Sequence, residues 1–259
     1  MGTVSKALSL LTHFNHGRTG IGLSDLTRLS GMNKATVYRL MGELQESGFV
    51  EQTDDDRMYR LGPQVLRLAA LREAAVPILS VSRRVLRDLS DETGETTHLS
   101  LLQGSQLNSL SHAYSPRHAT KVMMEDAEVL TFHGTSSGLA VLAYADPGFV
   151  EDVLAQPLTI HTPETITDPR EIRAQLAEVR ATGMAQSIGG FEADVHSHAV
   201  PVFGPDRQVI GALAVAAPVS RMTAEQKQLI LAALRRAGAS LTHRIGGSAP
   251  ADYPQDAAV

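Results

Sequence analysis

Two short segments of this 259-residue chain carry residue types that could do chemistry. Gly134-Thr135-Ser136-Ser137-Gly138 is a formal G-x-S-x-G match, the strand-to-helix turn on which hydrolases mount a serine nucleophile. His196-Ser197-His198 sets two imidazoles two residues apart, on one face of a regular strand, where both could ligate a divalent metal. Each reading lacks a part. A hydrolase elbow needs a long parallel sheet ahead of it, and only about 55 residues separate Gly134 from a helical linker. The histidines have no third ligand in any nearby motif. The serine turn has a second chemistry: small residues entering a helix leave backbone N–H groups free at its positive end, a seat for a carboxylate or other electron-rich atom. Met123-Met124 is either a flexible apolar cover for a ligand or simply core.

A third segment, Lys34-Ala35-Thr36-Val37-Tyr38-Arg39-Leu40, follows a possible cap at Asn33. Val37, Leu40, Met41 and Leu44 form its apolar stripe, leaving Lys34, Ala35, Thr36, Tyr38 and Arg39 toward the opposite surface. Arginine can bind guanine bidentately, threonine and alanine can touch a thymine methyl, and lysine and tyrosine can reach phosphate. This is the chemistry of a recognition helix in double-stranded DNA.

The elements needed to position these groups follow from periodicity. Val4, Ala7, Leu8, Leu11 and Phe14 predict a first helix; Leu23 to Ser30 predicts a short second one, with Ser24 as its cap and Gly31 as its end. After the third helix, Phe49–Thr53 and Arg57–Leu61 read as a hairpin around Asp54-Asp55-Asp56, a wing whose Arg57 or Arg60 lies near phosphate and whose acidic tip avoids deep insertion. Pro63 opens a linker helix that Pro77 interrupts. Beyond it, a helix runs to Thr93, strands lie near 96–102 and 107–112, and a helix near 135–145 is followed by a Pro-rich loop. Asp168-Pro169 starts another helix, strands lie near 199–203 and 208–217, and Thr223 caps a last helix bearing Leu229, Ile230, Ala233, Leu234 and Leu241. The class is α+β. The division is 1–62 for a winged helix-turn-helix, 63–77 for the linker helix, 78–245 for a helix-flanked sheet, and 246–259 for a fraying tail.

Composition narrows the function. The absence of cysteine excludes disulfides, thiol nucleophiles and Cys-ligated metals. The longest nearly apolar run, Val209–Val219, is far shorter than the roughly 20 residues of a membrane span. The first residues carry no targeting pattern and read as a mature start, and the expectation is a cytoplasmic protein with no membrane partner. Net charge is −5, but residues 1–62 are balanced, 63–89 carry +3 and 90–259 carry −8, so nucleic-acid binding belongs to the first 90 residues.

Five N-terminal motifs, in this order, resemble those of the IclR family of bacterial transcription regulators: Val4-Ser5-Lys6-Ala7-Leu8-Ser9-Leu10-Leu11, Leu23-Ser24-Asp25-Leu26, Lys34 to Leu40, Gly48-Phe49-Val50 and Tyr59-Arg60-Leu61-Gly62. The similarity continues through Glu92-Thr93-Gly94-Glu95-Thr96, Thr165-Ile166-Thr167-Asp168, Pro201-Val202-Phe203 and Ala217-Pro218-Val219-Ser220-Arg221. The resemblance implies an N-terminal winged helix-turn-helix, a linker helix, and a C-terminal GAF-like antiparallel sheet flanked by helices. It also implies dimers or tetramers on pseudo-palindromic operators. In such proteins the segment matching His133–Ala140 lines the effector pocket, with contacts at Ser136 and Ser137, and Thr135 is the third expected effector-binding residue of this turn. Ser187, Ser197, Ala214 and Ala216 match four further pocket positions. Members that bind short oxoacids place an acidic residue, a cysteine and two serines there, so two serines and two alanines imply a roomier, more apolar cavity. The expected effector is aromatic or bulky with a polar or carboxylate-like head, and His196 is the expected hydrogen-bond donor to it. Neither a cofactor nor a bound metal is expected, and no enzyme activity. The alternative is a serine hydrolase or metal-dependent enzyme using Ser136 or the His196/His198 pair.

Overall fold

A computed structural model describes residues 2–14, 17–52, 57–75 and 78–254. The chain divides into two compact units, Met1–Pro77 and Ile78–Val259.

In the first unit, α1 (Thr3–Leu11) buries Leu10 completely, while Val4 is 72% and Leu8 52% exposed. The expected stripe is thus corrected to Ala7, Leu10, Leu11 and Phe14. The segment contains two overlapping apolar series at helical spacing, and packing against the third helix selects the one holding Leu10. Helix α2 (Leu23–Ser30) is capped by Gly22 without a side-chain bond, so Ser24 lies in the first turn and is not the cap. Gly31, at φ 66°, takes the left-handed conformation that ends α2 and allows the tight turn into α3 (Lys34–Glu46). Asn33 Oδ1 accepts the Thr36 N–H at 2.8 Å, and Val37, Leu40, Met41 and Leu44 are all buried. Strands β1 (Val50–Gln52) and β2 (Tyr59–Leu61) pair antiparallel, with Val50 opposite Leu61. Ile21 bridges to Tyr59 and ties the wing to the helices. The acidic tip, Asp54-Asp55-Asp56, lies outside the described residues. Helix α4 (Pro63–Ala75) follows, with Leu66, Leu68 and Leu71 exposed.

The second unit is built from α5 (Ile78–Thr93), β3 (Thr96–Gln103), β4 (Gln106–Ala113), β5 (Val129–Leu130), α6 (Ser136–Tyr144), α7 (Pro147–Leu154), α8 (Pro169–Thr182), β6 (Ala185–Ile188), β7 (Val195–Phe203), β8 (Val209–Pro218) and α9 (Ala224–Arg244). Among the described residues these strands form one antiparallel six-stranded sheet in the order β5-β4-β3-β8-β7-β6. Helices α5 and α9 cover one face, burying Leu86, Leu99, Leu213, Val215, Ile230 and Leu234. Helices α6 and α8 cover the other, with Leu139, Leu142, Ile172, Phe203 and Ala212. Because β8 is buried on both faces, it reads as a continuous apolar run without alternation.

Helix α7 replaces the expected Pro-rich loop. Asp146 Oδ1 accepts the Gly148 N–H at 2.8 Å and Pro147 sits in the first turn, a start signal hidden by the prolines that follow Leu154. Leu229, expected to face inward, is 38% exposed, since it lies on the outer side of α9. The tail expected to fray from Gly246 is packed as far as Pro254: Tyr253 meets Phe203 edge-on and Tyr144 at a tilt, and its hydroxyl donates to the Gly183 carbonyl at 3.3 Å. Residues 255–259 lie outside the described residues. At the opposite end of the sheet, Arg221 forks onto the buried Glu95 carboxylate, with Nε–Oε1 at 2.8 Å and Nη2–Oε2 at 2.6 Å.

Candidate functional site

The G-x-S-x-G segment enters α6 as a capped turn. Thr135 Oγ1 accepts the Gly138 N–H at 3.0 Å and donates to the Thr131 carbonyl at 2.7 Å. As first residues of the helix, Ser136 and Ser137 have no intrahelical acceptor for their N–H groups, so the positive end of α6 carries free donors. Ser187 Oγ donates to the Gly134 carbonyl at 2.8 Å and fastens β6 to the turn. From β3, on the sheet face that α6 covers, His98 Nε2 and Ser137 Oγ share a hydrogen bond at 3.1 Å.

These groups meet at a cavity of about 50 Å³. Thr135, Ser136, Ser137, Ser187, Ser197 and Ala216 all line it. The buried members, His98, Ser136, Ser137, Ser197 and Ala216, form the closed end; the half-buried Met124, Glu128 and Phe191 and the exposed Glu192 form the mouth. Met124 thus lines the site, while Met123 is exposed. A cavity of this size holds a few water molecules, so a larger ligand must widen it.

Two expected pocket residues lie elsewhere. His196 is corrected to the far face of β7: its neighbours Val195 and Ser197 line the cavity, and strand alternation turns His196 toward the α9 side. Ala214 is fully buried in the apolar core, paired with His98 on the adjacent strand. Conversely, His98, Glu128, Phe191 and Glu192 were not marked by any local motif. His98 is legible only through its register opposite Ala214, two positions from Ala216, and register is not a local property.

The arrangement does not assemble a hydrolase triad among the described residues. The Ser–His contact involves Ser137 rather than Ser136, Ser137 is fully buried, and His98 Nδ1 has no partner to orient the ring. Among the described residues no group of three His, Cys, Asp or Glu side chains is placed to hold a metal. What the site offers is a cluster of hydroxyls, one neutral imidazole and free helix N–H groups. Burial, with a smaller contribution from His112, lowers the His98 pKa to about 4.

His196 and His198 stack at 4.7 Å between ring centroids. Burial, then His196 and Lys227, lowers the His198 pKa to about 3. The unfolded chain takes up this proton near pH 6.5, whereas the folded chain resists it until about pH 3. His198 therefore contributes stability that is complete above pH 6.5 and is lost as pH falls from 6.5 toward 3. Urea unfolding at pH 7.5 and pH 5.0 should show a smaller loss of midpoint in His198→Leu than in the unsubstituted protein. Equal losses in both would count against the buried neutral imidazole.

In the first unit, Lys34, Ala35 and Arg39 are exposed, Thr36 is half-buried and Tyr38 is 64% exposed. One face of α3 therefore presents the expected row of donors and methyl groups to solvent. Arg39 pairs with Glu43 one turn later on the same surface. Arg57, also exposed, sits at φ 53°, and its carbonyl accepts Gln52 Nε2 at 2.6 Å. A short helix, a Gly31 turn and a second helix with an open polar face constitute a helix-turn-helix.

Two family models match the chain. Residues 3–54 match the IclR helix-turn-helix domain, and residues 72–243 match the C-terminal domain of the bacterial transcriptional regulator IclR. The chain belongs to the IclR family. It is 27% identical over 245 residues to the HTH-type transcriptional regulator XynR of Escherichia coli, covering 94% of this chain and 97% of that one. Among solved structures, one assigned to the IclR regulators from Silicibacter sp. TM1040 is 78% identical, with a TM-score of 0.95, covering 98% of this chain and all of that one. An IclR homologue from Microbacterium hydrocarbonoxydans, complexed with 4-hydroxybenzoate, is 27% identical with a TM-score of 0.79, covering 94% and 99%. As an IclR-family member the chain is a transcription regulator with a DNA-binding helix-turn-helix and a C-terminal ligand-binding domain. No helix among the described residues is long and apolar enough to cross a membrane.

Proposed function

We propose that this regulator senses an aromatic or otherwise bulky small molecule whose polar or carboxylate-like head sits at the N-terminus of α6. The observation that carries the reading is the convergence of the Ser136–Ser137 helix end, the neutral His98 and the hydroxyls of Ser187 and Ser197 on one cavity. The 4-hydroxybenzoate complex of the Microbacterium homologue supports an aromatic body. The protein is read as a cytoplasmic non-enzyme in which residues 1–62 bind DNA, 63–77 link, and 78–245 hold the effector. A homo-oligomer, dimer or tetramer, presents two recognition helices to a pseudo-palindromic operator. Effector binding favours one geometry of that assembly, and operator binding must change effector affinity by the same factor.

The test separates the two units. With an operator selected from a random duplex pool, Arg39→Ala should weaken specific binding by about 10- to 100-fold at fixed salt, the loss of one bidentate base contact. The exposed Arg39–Glu43 pair it also removes is worth only tenths of a kcal/mol, so the fold persists. Calorimetric affinity for the effector should be unchanged. Equal loss of DNA and effector binding would refute the division of labour.

A further inference from the structure

Besides the donors at the α6 N-terminus, the lining of this cavity carries charge of the opposite sign. Glu128 and Glu192 both line its mouth, and no lysine or arginine lines any part of it. Among the described residues neither carboxylate has an ion-pair partner. Burial raises both carboxyl pKa values from the ordinary range, and Glu125 and Glu192 raise that of Glu128 further, as expected of like charges held together without a cation. At the closed end the situation is reversed. Ser136 and Ser137 present N–H groups at a positive helix end, and His98, 5% exposed, retains an Nδ1 with no partner.

A ligand that reaches from one end to the other therefore meets donors at its head and two carboxylates at its tail. A simple aryl carboxylate gains at the first and is repelled at the second. A ligand with a basic nitrogen at its far end is complementary to both, and would supply the cation that the two glutamates lack. We propose that the effector is a zwitterion: a bulky or aromatic acid whose carboxylate sits at the α6 N-terminus and whose protonated amine sits between Glu128 and Glu192. This rests on the cavity being the effector site and adds the charge of the molecule that fills it.

The probes are 4-(aminomethyl)benzoate and 4-methylbenzoate, which share a ring and a carboxylate and differ in the amine. Titration calorimetry on the full chain at pH 7.5 and fixed salt should show the amine compound binding at least about tenfold more tightly. In the double variant Glu128→Gln/Glu192→Gln that preference should vanish, while 4-methylbenzoate binds as well or better. An equal or greater affinity for 4-methylbenzoate in the unsubstituted protein overturns the proposal. So does a preference that survives the double substitution, or no binding of the amine compound at millimolar concentration. The site itself is checked by Ser136→Val, with Ala216→Leu as a second obstruction should the first fail to fold. Obstruction must abolish binding of both probes. Binding that is lost on obstruction but shows no gain from the amine leaves the effector site standing and removes only the zwitterion.

Discussion

Arg221→Ala should destabilise the effector domain by about 3–5 kcal/mol, because it strands a buried carboxylate rather than merely deleting a contact. Glu95 is 3% exposed, and both of its oxygens are taken by Arg221 at 2.8 and 2.6 Å. These residues are 126 positions apart and join the start of β3 to the short helical turn, Val219–Arg221, that follows β8. Removing the guanidinium leaves Glu95 either charged without a partner or protonated at a cost. Chemical unfolding followed by far-UV dichroism measures the loss. The double variant Glu95→Leu/Arg221→Met should recover much of it, since a buried ion pair replaced by apolar volume is often near neutral. If the single and double variants were equally unstable, the mechanism would be lost packing and not an orphaned charge.

Gly138→Ala is the second large effect, and here two principles oppose each other. Alanine is favoured over glycine within a helix by about 1 kcal/mol, so α6 considered in isolation should be strengthened. In the fold, a Cβ at Gly138 would collide with Phe132 O and Cα and would lie 2.5 Å from Thr131 O. All three are backbone atoms that no rotamer change can move aside. The clash wins, and an overall loss of about 3 kcal/mol is expected. Because the displaced segment leads into the Thr135 cap, effector affinity should fall with stability. Thermal melting and calorimetry on the same variant check both, and a more stable variant would show that the 131–132 backbone can yield.

That substitution also explains the most misleading motif in the sequence. Gly134-Thr135-Ser136-Ser137-Gly138 matches a nucleophile elbow in letters, but its last glycine is required by close packing of α6 on residues 131–132. Thr135, the first variable residue, is the helix cap. The motif correctly marks a strand-to-helix entry with free donors, and the chemistry assigned to it depends on neighbours that lie far away in sequence.

The contrast between α3 and the cavity generalises this. Asn33, the stripe Val37-Leu40-Met41-Leu44 and the exposed face from Lys34 to Arg39 were legible because a helix places i, i+3 and i+4 together by its own geometry. Most strands and the caps at Asp168 and Thr223 were legible for the same reason, since their signals lie within a few residues. His98, Glu128 and Glu192 were not, because their proximity is set by the sheet order β5-β4-β3-β8-β7-β6 and by loops, and no local pattern encodes either. His196 failed by a single residue, as alternation along β7 sends adjacent side chains to opposite faces. Local periodicity and turn chemistry were enough for the helix-turn-helix, its exposed row and the small-residue entry to α6. Only tertiary pairing decided which histidine joins Ser137 and that two carboxylates share the mouth, because cross-strand register is fixed by burial summed over the whole sheet.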